Sequence, residues 1–244
     1  MSALGVPGRL AVEVQVVPPP QRPVRAFGRW VAQSTPRGST VLNIGGGCNV
    51  SGASPAVRRR ADRLVVVDPS VRVHENDEAD ERHQATLEQL AVHHPDRFDV
   101  AFAVFVLEHV RDPHAFTEAA ARVLRPGGVL MAITPNQRHY FGMAVWAATR
   151  LGVDEWVLRH VRDAGTVADY HVPTEYRLNS IRSVVRRLSH AGFSSVQFRM
   201  WDAPAMYEPY LPGPLSGFAT AWSHAAYRSG RPNLMGHLTF KAVL

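Results

Sequence analysis

The stretch Val41-Leu42-Asn43-Ile44-Gly45-Gly46-Gly47-Cys48-Asn49-Val50 decides the fold that this sequence predicts. Residues 40–44 form a short apolar run that ends abruptly in three glycines. This pattern is typical of a buried parallel strand followed by a turn that binds a phosphate or a nucleoside. Glycine suits such a turn because some positions require φ > 0 and because a side chain would keep a ligand away from the backbone.

A second anchor follows downstream, where the apolar run 64–67 ends in Asp68. In α/β nucleotide sites, a carboxylate about 20 residues past the glycine turn accepts hydrogen bonds from ribose hydroxyls. The spacing from Gly47 to Asp68 fits that arrangement. The sequence therefore predicts Asp68 as a ribose ligand, and the alternative is a carboxylate that caps a helix or a turn.

The glycine pattern argues against a dinucleotide. A dinucleotide fingerprint needs G-x-G-x-x-G, and Gly45 and Gly47 supply its first two glycines. Val50 occupies the third position. A nicotinamide oxidoreductase is therefore disfavoured.

The stretch instead resembles the first motif of class I S-adenosylmethionine-dependent methyltransferases, in which hydrophobic positions flank an acid before Gly-x-Gly-x-Gly. Asn49 replaces the third glycine, a mild change because Asn tolerates the left-handed conformation better than most residues. Asn43 replaces the acid, which in this family contributes to holding the methionine end of the cofactor. The positions that match the motif are Val41, Leu42, Ile44, Gly45 and Gly47.

Further blocks extend the resemblance over residues 40–135. Residues 98–110 are similar to the family's fourth-strand motif, which opens with Phe-Asp and closes with Leu-Glu-His-Val. Residues 124–130 are similar to its Leu-x-Pro-Gly-Gly turn into strand five. With the glycine turn and Asp68, four blocks occur in the family's order and spacing.

The alternation of strands and helices up to residue 135 predicts β-α-β crossovers and a parallel sheet. The resemblance implies a doubly wound, mostly parallel seven-stranded sheet, with an antiparallel C-terminal strand at 237–243 and a helical cap insertion. We expect an N-terminal arm and cover helix at 1–39 and a cofactor-binding core at 40–135. We expect the cap at 136–180 and the C-terminal part of the core sheet at 181–244.

The resemblance also implies the cofactor, S-adenosylmethionine, with S-adenosylhomocysteine as product. The glycine turn would lie along the amino-acid end of the cofactor, and the end of the next strand would contact its ribose. Two further loops would border the adenine and form the opposite wall of the site. In that order, the implied cofactor-binding residues are Asn43, Ile44, Gly45, Gly46, Gly47, Asp68, Pro69, Ala85, Thr86, Val104 and Phe105.

Methyl transfer requires alignment of donor and acceptor, and alignment alone can supply ~7–11 kcal/mol. A positioned base contributes a further factor of roughly 10²–10⁴ when the acceptor is a hydroxyl. The candidates for this base are His109, close after strand four, and His171 in the cap. For each, the alternative is a histidine that only packs or forms a structural hydrogen bond.

The sequence defines the methyl acceptor less sharply than it defines the cofactor. The segments 136–178 and 201–235 are rich in aromatic residues, which favours a small apolar or aromatic acceptor, or else the core of a helical cap. We expect methylation on oxygen, with nitrogen or carbon as further options. The competing hypothesis is an S-adenosylmethionine-binding fold that serves a non-methylating reaction or a binding or regulatory role.

Composition limits the other partners, compartments and ligands that the sequence predicts. The net charge is +6, but the arginines are scattered and no nucleic-acid motif occurs, so we expect no nucleic-acid partner. No apolar run approaches the ~20 residues of a membrane span, and no signal peptide is visible. The single cysteine agrees with a cytoplasmic location. We expect no metal, since the acidic stretch 75–82 before His83 has no recognisable ligand spacing. A homodimer is left open.

Overall fold

The computed structural model describes residues 10–48, 52–143, 174–206 and 217–244. Within these residues the chain forms one eight-stranded sheet. The strands are β1 (Ala11–Val16), β2 (Ser39–Ile44), β3 (Ala61–Asp68), β4 (Glu81–Gln84), β5 (Phe98–Val104), β6 (Leu124–Pro135), β7 (Ser195–Trp201) and β8 (His237–Val243). Their order in the sheet is β1-β7-β8-β6-β5-β2-β3-β4. β8 runs antiparallel to both of its neighbours, and every other pairing is parallel.

Three of the six described helices begin at residues whose side chains cap them. Asp112 accepts hydrogen bonds from the backbone N–H groups of His114 and Ala115, and Thr86 forms a reciprocal capping box with Gln89. The helices are α1 (Pro23–Ser34), α2 (Ser54–Arg58), α3 (Leu87–His93), α4 (Pro113–Val123), α5 (Ile181–His190) and α6 (Phe218–Ser229). Short 3₁₀ helices span Val71–Glu75, Leu107–His109, Pro204–Met206 and Pro232–Leu234.

The core lies on both faces of the sheet, because successive side chains of a strand point to opposite sides. Along β5, Ala101 and Ala103 face the layer of α3, α4 and α5, whereas Val100 and Phe102 face α1 and α2. A central parallel strand buried on both faces must be apolar along its buried length, as this one is from Val100 to Val104.

The fold class predicted from the sequence is confirmed, and the terminal strand β8 lies between β6 and β7 as expected. The sheet has eight strands rather than seven. The additional strand, β1, lies in the segment expected to be an extended arm and pairs in parallel with β7. Its alternating sequence AVEVQV suits an edge strand, and the proline run that follows concealed this pattern.

Two element boundaries predicted from the sequence are wrong. The Ser54-Pro55 start predicts a short helix over 56–62; the helix is instead Ser54–Arg58, because Ala61 already pairs in β3. The resemblance also predicts the family's short third strand and adenine loop within 84–88; the strand is instead Glu81–Gln84, and Thr86 caps α3.

The division of the chain into arm, core, cap and C-terminal part stays a proposal. Most of the predicted cap, residues 144–173, lies outside the described residues. Across the part that is described, no helix has the length and apolar character needed to cross a membrane.

We expect Phe102→Ala to lower the free energy of unfolding by about 3–5 kcal/mol, because it leaves a cavity at the centre of the sheet. The Phe102 side chain is fully buried between β5 and the α1 layer. Urea unfolding measures the change. The control Val92→Ala, at a residue that is 61% exposed, should change the stability by less than about 0.5 kcal/mol. If both variants lost the same small amount of stability, the result would contradict the burial of Phe102 in this core.

Candidate active site

The glycine turn follows β2 at the carboxyl edge of the parallel strands. Gly45 and Gly47 adopt positive φ values of 68° and 43°. The N–H of Gly45 donates to the carbonyl of Val67 at 2.8 Å, and the N–H of Gly47 donates to Asp68 Oδ2 at 3.0 Å. The turn after β2 is therefore fastened to the end of β3, and the two anchors found in the sequence meet.

The three glycines are not equivalent. A Cβ at Gly45 would collide with the side chain of Val106, and one at Gly46 would lie 2.5 Å from Asn43 Nδ2. A Cβ at Gly47 would have a single neighbour among the described residues, Asp68 Oδ2 at 3.7 Å. Gly45 and Gly46 are thus required for packing, whereas Gly47 leaves an open cradle beside the Asp68 carboxylate.

Asp68 is the last residue of β3 and is half-buried. Besides the bond from Gly47, its Oδ1 accepts from the N–H of Ser70 at 2.8 Å. Each carboxylate oxygen can accept two hydrogen bonds, so each retains capacity for one hydroxyl donor. This geometry fits two ribose hydroxyls. Pro69 follows directly and has no N–H that could compete for the carboxylate.

Asn43 lies beneath the turn rather than on its open side. Its side chain is buried under Gly46, and Nδ2 donates to Ser54 Oγ of α2 at 3.3 Å. A neutral amide at this buried position avoids the cost of desolvating a carboxylate. Ile44, the last residue of β2, is also buried and leads directly into the turn.

The structure adds Asn76, which the sequence interpretation missed. Asn76 is buried, and its Nδ2 donates to the carbonyl of Gly47 at 2.9 Å. No sequence signal singles it out, because the contact spans 29 positions.

The adenine side holds Ala85 and Thr86 next to the end of β3. The N–H of Ala85 donates to the carbonyl of Asp68 at 3.2 Å. The Thr86 hydroxyl accepts from Gln89 N–H in the α3 cap. Ala85 therefore lies next to Asp68, and contact of Ala85 and Thr86 with adenine stays a prediction.

The opposite wall is the end of β5. Val104 closes the strand, and Phe105 has a φ of 55°, a left-handed conformation that costs an aromatic residue about 1–3 kcal/mol. The N–H of Phe105 donates to Ile133 at 2.9 Å, and its ring lies 5.9 Å from the ring of His237. Phe105 therefore separates the glycine turn from the ends of β6, β7 and β8.

Of the two histidines predicted as bases, the structure describes only His109. His109 is half-buried in the 3₁₀ helix beside Glu108, and His171 lies outside the described residues. The buried neighbour Glu108 accepts from Thr134 Oγ1 at 2.9 Å, and Asn179 Nδ2 donates to that hydroxyl at 2.6 Å. Burial raises the pKa of the Glu108 carboxyl. A catalytic role for His109 or His171 stays a prediction.

Beyond Phe105, three buried ionisable side chains converge that sequence analysis did not select. His139 follows β6, Asp202 follows β7, and His237 opens β8. His139 Nε2 lies 3.7 Å from Asp202 Oδ2. Burial lowers the pKa of His237 to about 4, despite the opposing charge of Asp202. Each residue sits at a strand end, but only the sheet order brings these distant positions together.

At the far edge of the sheet, Glu81, His83 and His94 place potential metal-ligand atoms within 4.8 Å of one another. Two arginines occupy the carboxylate of Glu81. Arg97 binds it at 2.6 and 3.1 Å, and Arg63 binds it at 2.6 Å. The positive guanidinium groups oppose a cation, so the cluster is an ion-pair network.

The fold and the glycine turn define a doubly wound α/β protein with a nucleoside-type cofactor edge. Residues 21–197 match a family model described as a methyltransferase domain. The chain belongs to this methyltransferase domain family. Membership confirms the resemblance to class I methyltransferases and implies S-adenosylmethionine as cofactor.

Individual relatives agree with this family. A "Ubiquinone biosynthesis O-methyltransferase" of Azorhizobium caulinodans is 35% identical over 146 residues, 56% of this chain and 54% of that protein. The protein of that name in Sodalis glossinidius is 35% identical over 94 residues, 38% of this chain and 36% of that protein. The chain thus spans about a third to a half of these curated relatives. An S-adenosylmethionine-dependent methyltransferase structure from Mesorhizobium loti has a TM-score of 0.55 at 16% identity, covers 91% of this chain and 100% of that one, and supports the fold alone.

We expect Gly47→Ala to weaken binding of S-adenosylmethionine at least tenfold in calorimetric titration, because its Cβ fills the cradle beside Asp68. The matched control is Gly38→Ala, whose φ of 80° imposes a similar backbone strain of about 1–2 kcal/mol with no atom within 4 Å. The control should lose stability but keep its affinity. Equal affinities would place the cofactor away from Gly47.

We expect Glu81→Gln to lower the free energy of unfolding at pH 7 by roughly 1–2 kcal/mol after allowance for solvent screening. Arg97 lowers the pKa of Glu81 to about 2 from its ordinary 4.5. The native carboxylate therefore stabilises the fold above pH 4.5, and this contribution disappears as the pH falls from 4.5 towards 2.

Urea unfolding of wild type and variant at several pH values measures this difference. Glu118→Gln is the control, because its carboxylate is 58% exposed and its ion pair with His114 should contribute little. A Glu81→Gln effect that does not diminish below pH 4.5 would show that the ion pairs do not explain it.

Proposed function

We propose that this protein transfers the methyl group of S-adenosylmethionine to a hydroxyl group of a small, apolar or aromatic molecule. The observation that carries the proposal is the junction of Gly47 and Asp68. There an open backbone cradle adjoins a carboxylate with capacity for two further hydroxyl donors. A nucleoside with a ribose diol satisfies both features.

Each side of this junction has a role in binding. Asp68 would accept from the ribose hydroxyls, and the backbone of residues 44–47 would lie along the amino-acid end. Ala85 and Thr86 would border adenine, while Val104 and Phe105 would close the opposite wall. S-adenosylmethionine supplies a methyl group on a positively charged sulfur, so the chain needs to align an acceptor and exclude water.

Aromatic side chains support an aromatic acceptor. The Tyr140 ring lies 5.1 Å from the Trp222 ring and 5.4 Å from the Phe218 ring. Phe218 is 43% exposed. Flat apolar rings pack favourably against such a cluster. The curated relatives' printed name, an O-methyltransferase of ubiquinone biosynthesis, supports oxygen as the atom that is methylated here.

The remaining parts of the proposal concern setting and partners. We keep the cytoplasmic location that the single cysteine suggests, and a small molecule as the acceptor. The absence of a nucleic-acid partner stays a prediction, and so does the formation of a homodimer. Neither is needed for the chemistry at Asp68.

The test begins with calorimetric titration of the purified protein with S-adenosylmethionine and with S-adenosylhomocysteine, for which we expect micromolar binding. A panel of catechols, phenols and aliphatic alcohols then serves as acceptors, and mass spectrometry detects methyl ethers. Asp68→Ala should weaken binding of both compounds at least tenfold. Asp77→Ala removes an exposed carboxylate of the loop before β4 and should leave binding unchanged.

The outcomes separate the hypotheses. Binding with transfer to a hydroxyl supports the proposal. Binding without transfer to any acceptor in the panel would contradict it and favour a non-methylating or regulatory use of the site. No binding of either compound would mean that the motifs preserve the fold alone.

A further inference from the structure

We propose that a cleft between β1, the loop after β6, the start of α5 and the 3₁₀ helix Pro232–Leu234 binds a small organic anion that carries an apolar body. The volume of the cleft is about 560 Å³, within the ordinary range of ligand pockets. None of the described residues that line it belongs to the glycine turn or to the end of β3. The inference therefore does not depend on the proposed methyl transfer.

The fold builds this cleft by joining segments that are distant in the chain. The N–H of Gln137 donates to the carbonyl of Asn179 at 2.9 Å, which brings the loop after β6 to the start of α5. Asn136 Nδ2 donates to the carbonyl of Asn233 at 3.4 Å, which holds the 3₁₀ helix against the same loop. The sequence places arginines on α5, and only these contacts add Arg138 to them.

Part of the cleft is lined by apolar side chains. Val14 of the edge strand β1 is 38% exposed. Ile181 and Val185 are half-buried and lie one turn apart on α5, because they are separated by four residues. These side chains offer an apolar surface that a ligand would remove from water.

Three arginines line the same cleft. Arg138 comes from the loop after β6, and Arg182 and Arg186 come from α5. All three are exposed, and arginine keeps its positive charge at physiological pH. Within the described part of the chain, none of their guanidinium groups has an ion pair or a hydrogen bond, and no carboxylate lines the cleft.

Other arginines of the protein have anionic partners. Arg58 pairs with Asp80 at 3.0 Å, and Arg125 pairs with Asp99 at 2.8 Å. The acid of β1, Glu13, points to the opposite face of the sheet from Val14, because side chains alternate along a strand. The cleft therefore concentrates positive charge that the surrounding residues do not neutralise.

The positions of these charges on α5 are unfavourable without a ligand. Arg182 and Arg186 are four residues apart, so their like charges lie on one face of the helix and destabilise it. Arg182 is also the second residue of α5, where the helix dipole opposes a cation, and the first turn contains no acid. An anion bound against both arginines would remove both penalties.

The chemistry of the ligand follows from the two kinds of lining. A guanidinium group donates paired hydrogen bonds to the oxygens of a carboxylate or a phosphate. The adjoining apolar side chains suit an alkyl or ring portion of the same molecule. The ligand class is therefore an amphiphilic carboxylate or phosphate, which exists as a free molecule and also as the headgroup region of an acidic lipid.

Calorimetric titration of the full chain with octyl phosphate tests this site, because the probe combines a charged group with an apolar chain. Ethyl phosphate keeps the charge but lacks most of the chain, and octanol keeps the chain without the charge. We expect octyl phosphate to bind at least about tenfold more tightly than either. Added salt should weaken its binding, because the arginines are exposed.

Variants locate the binding in the cleft. Arg182→Gln/Arg186→Gln should weaken binding of octyl phosphate at least about tenfold, since hydrogen bonds to charged groups are lost. The matched control Arg122→Gln/Arg228→Gln removes two charges from exposed positions on α4 and α6 and should leave the affinity within about twofold. Arg138→Gln changes a different segment and should weaken binding roughly three- to tenfold.

Thermal unfolding without ligand separates binding from a structural role. Because Arg182→Gln/Arg186→Gln relieves the repulsion on α5, this variant should be at least as stable as the wild type. A lower unfolding temperature would show that the two arginines stabilise the fold, and would overturn their assignment to a ligand. The affinity for S-adenosylmethionine should equal that of the wild type in every variant, so a failure of the cofactor site is visible separately.

Vesicles of phosphatidylcholine with and without phosphatidylglycerol distinguish the two sources of the ligand. Sedimentation of the wild type with the acidic vesicles alone, lost in Arg182→Gln/Arg186→Gln, would identify a lipid headgroup. Binding of octyl phosphate without sedimentation would identify a free amphiphile. No binding of octyl phosphate, equal affinity for octanol, or an equal loss in the control variant would overturn the site.

Discussion

The hydrogen bond from the N–H of Gly47 to Asp68 Oδ2 is the contact on which the rest of the site depends. It joins the turn after β2 to the end of β3, and Gly45 and Asn76 complete the fastening through bonds to Val67 and to Gly47. The turn can lie this close to β3 because glycine adopts positive φ without a Cβ. The cofactor cradle is thus a product of backbone conformation at the sheet edge, and side chains serve mainly to hold it.

The same sheet edge explains how one surface can hold two chemistries. In open α/β sheets, ligands lie outside the carboxyl ends of the strands, near the point where the strand order reverses. Here β2 and β3 provide the proposed nucleoside side, and β6, β7 and the start of β8 provide a buried polar and aromatic side. Phe105, in its strained conformation, stands between them. The packing of the surrounding core must offset the energetic cost of that conformation.

Much of this arrangement was predictable because it depends on local pattern. The apolar runs of β2, β3 and β5, the Asp-Pro start of α4 and the glycine turn all carry signals within a few residues. Errors arose where a signal was weak or competed with another. The strand β1 was hidden by the prolines that follow it, and β4, with the sequence ERHQ, has no apolar residue that would mark it as a strand.

The sequence by itself determined the doubly wound class and the two anchors, the glycine turn and Asp68, that meet at one edge of the sheet, because each follows from residues that are close in the chain. Only the tertiary structure decided that Asn43 packs beneath the turn, that Asn76 holds Gly47, and that His139, Asp202 and His237 meet. These contacts join strand ends separated by many residues. Their distances are set by the order of strands in the sheet, and strand order is a property of the packed whole rather than of any local pattern.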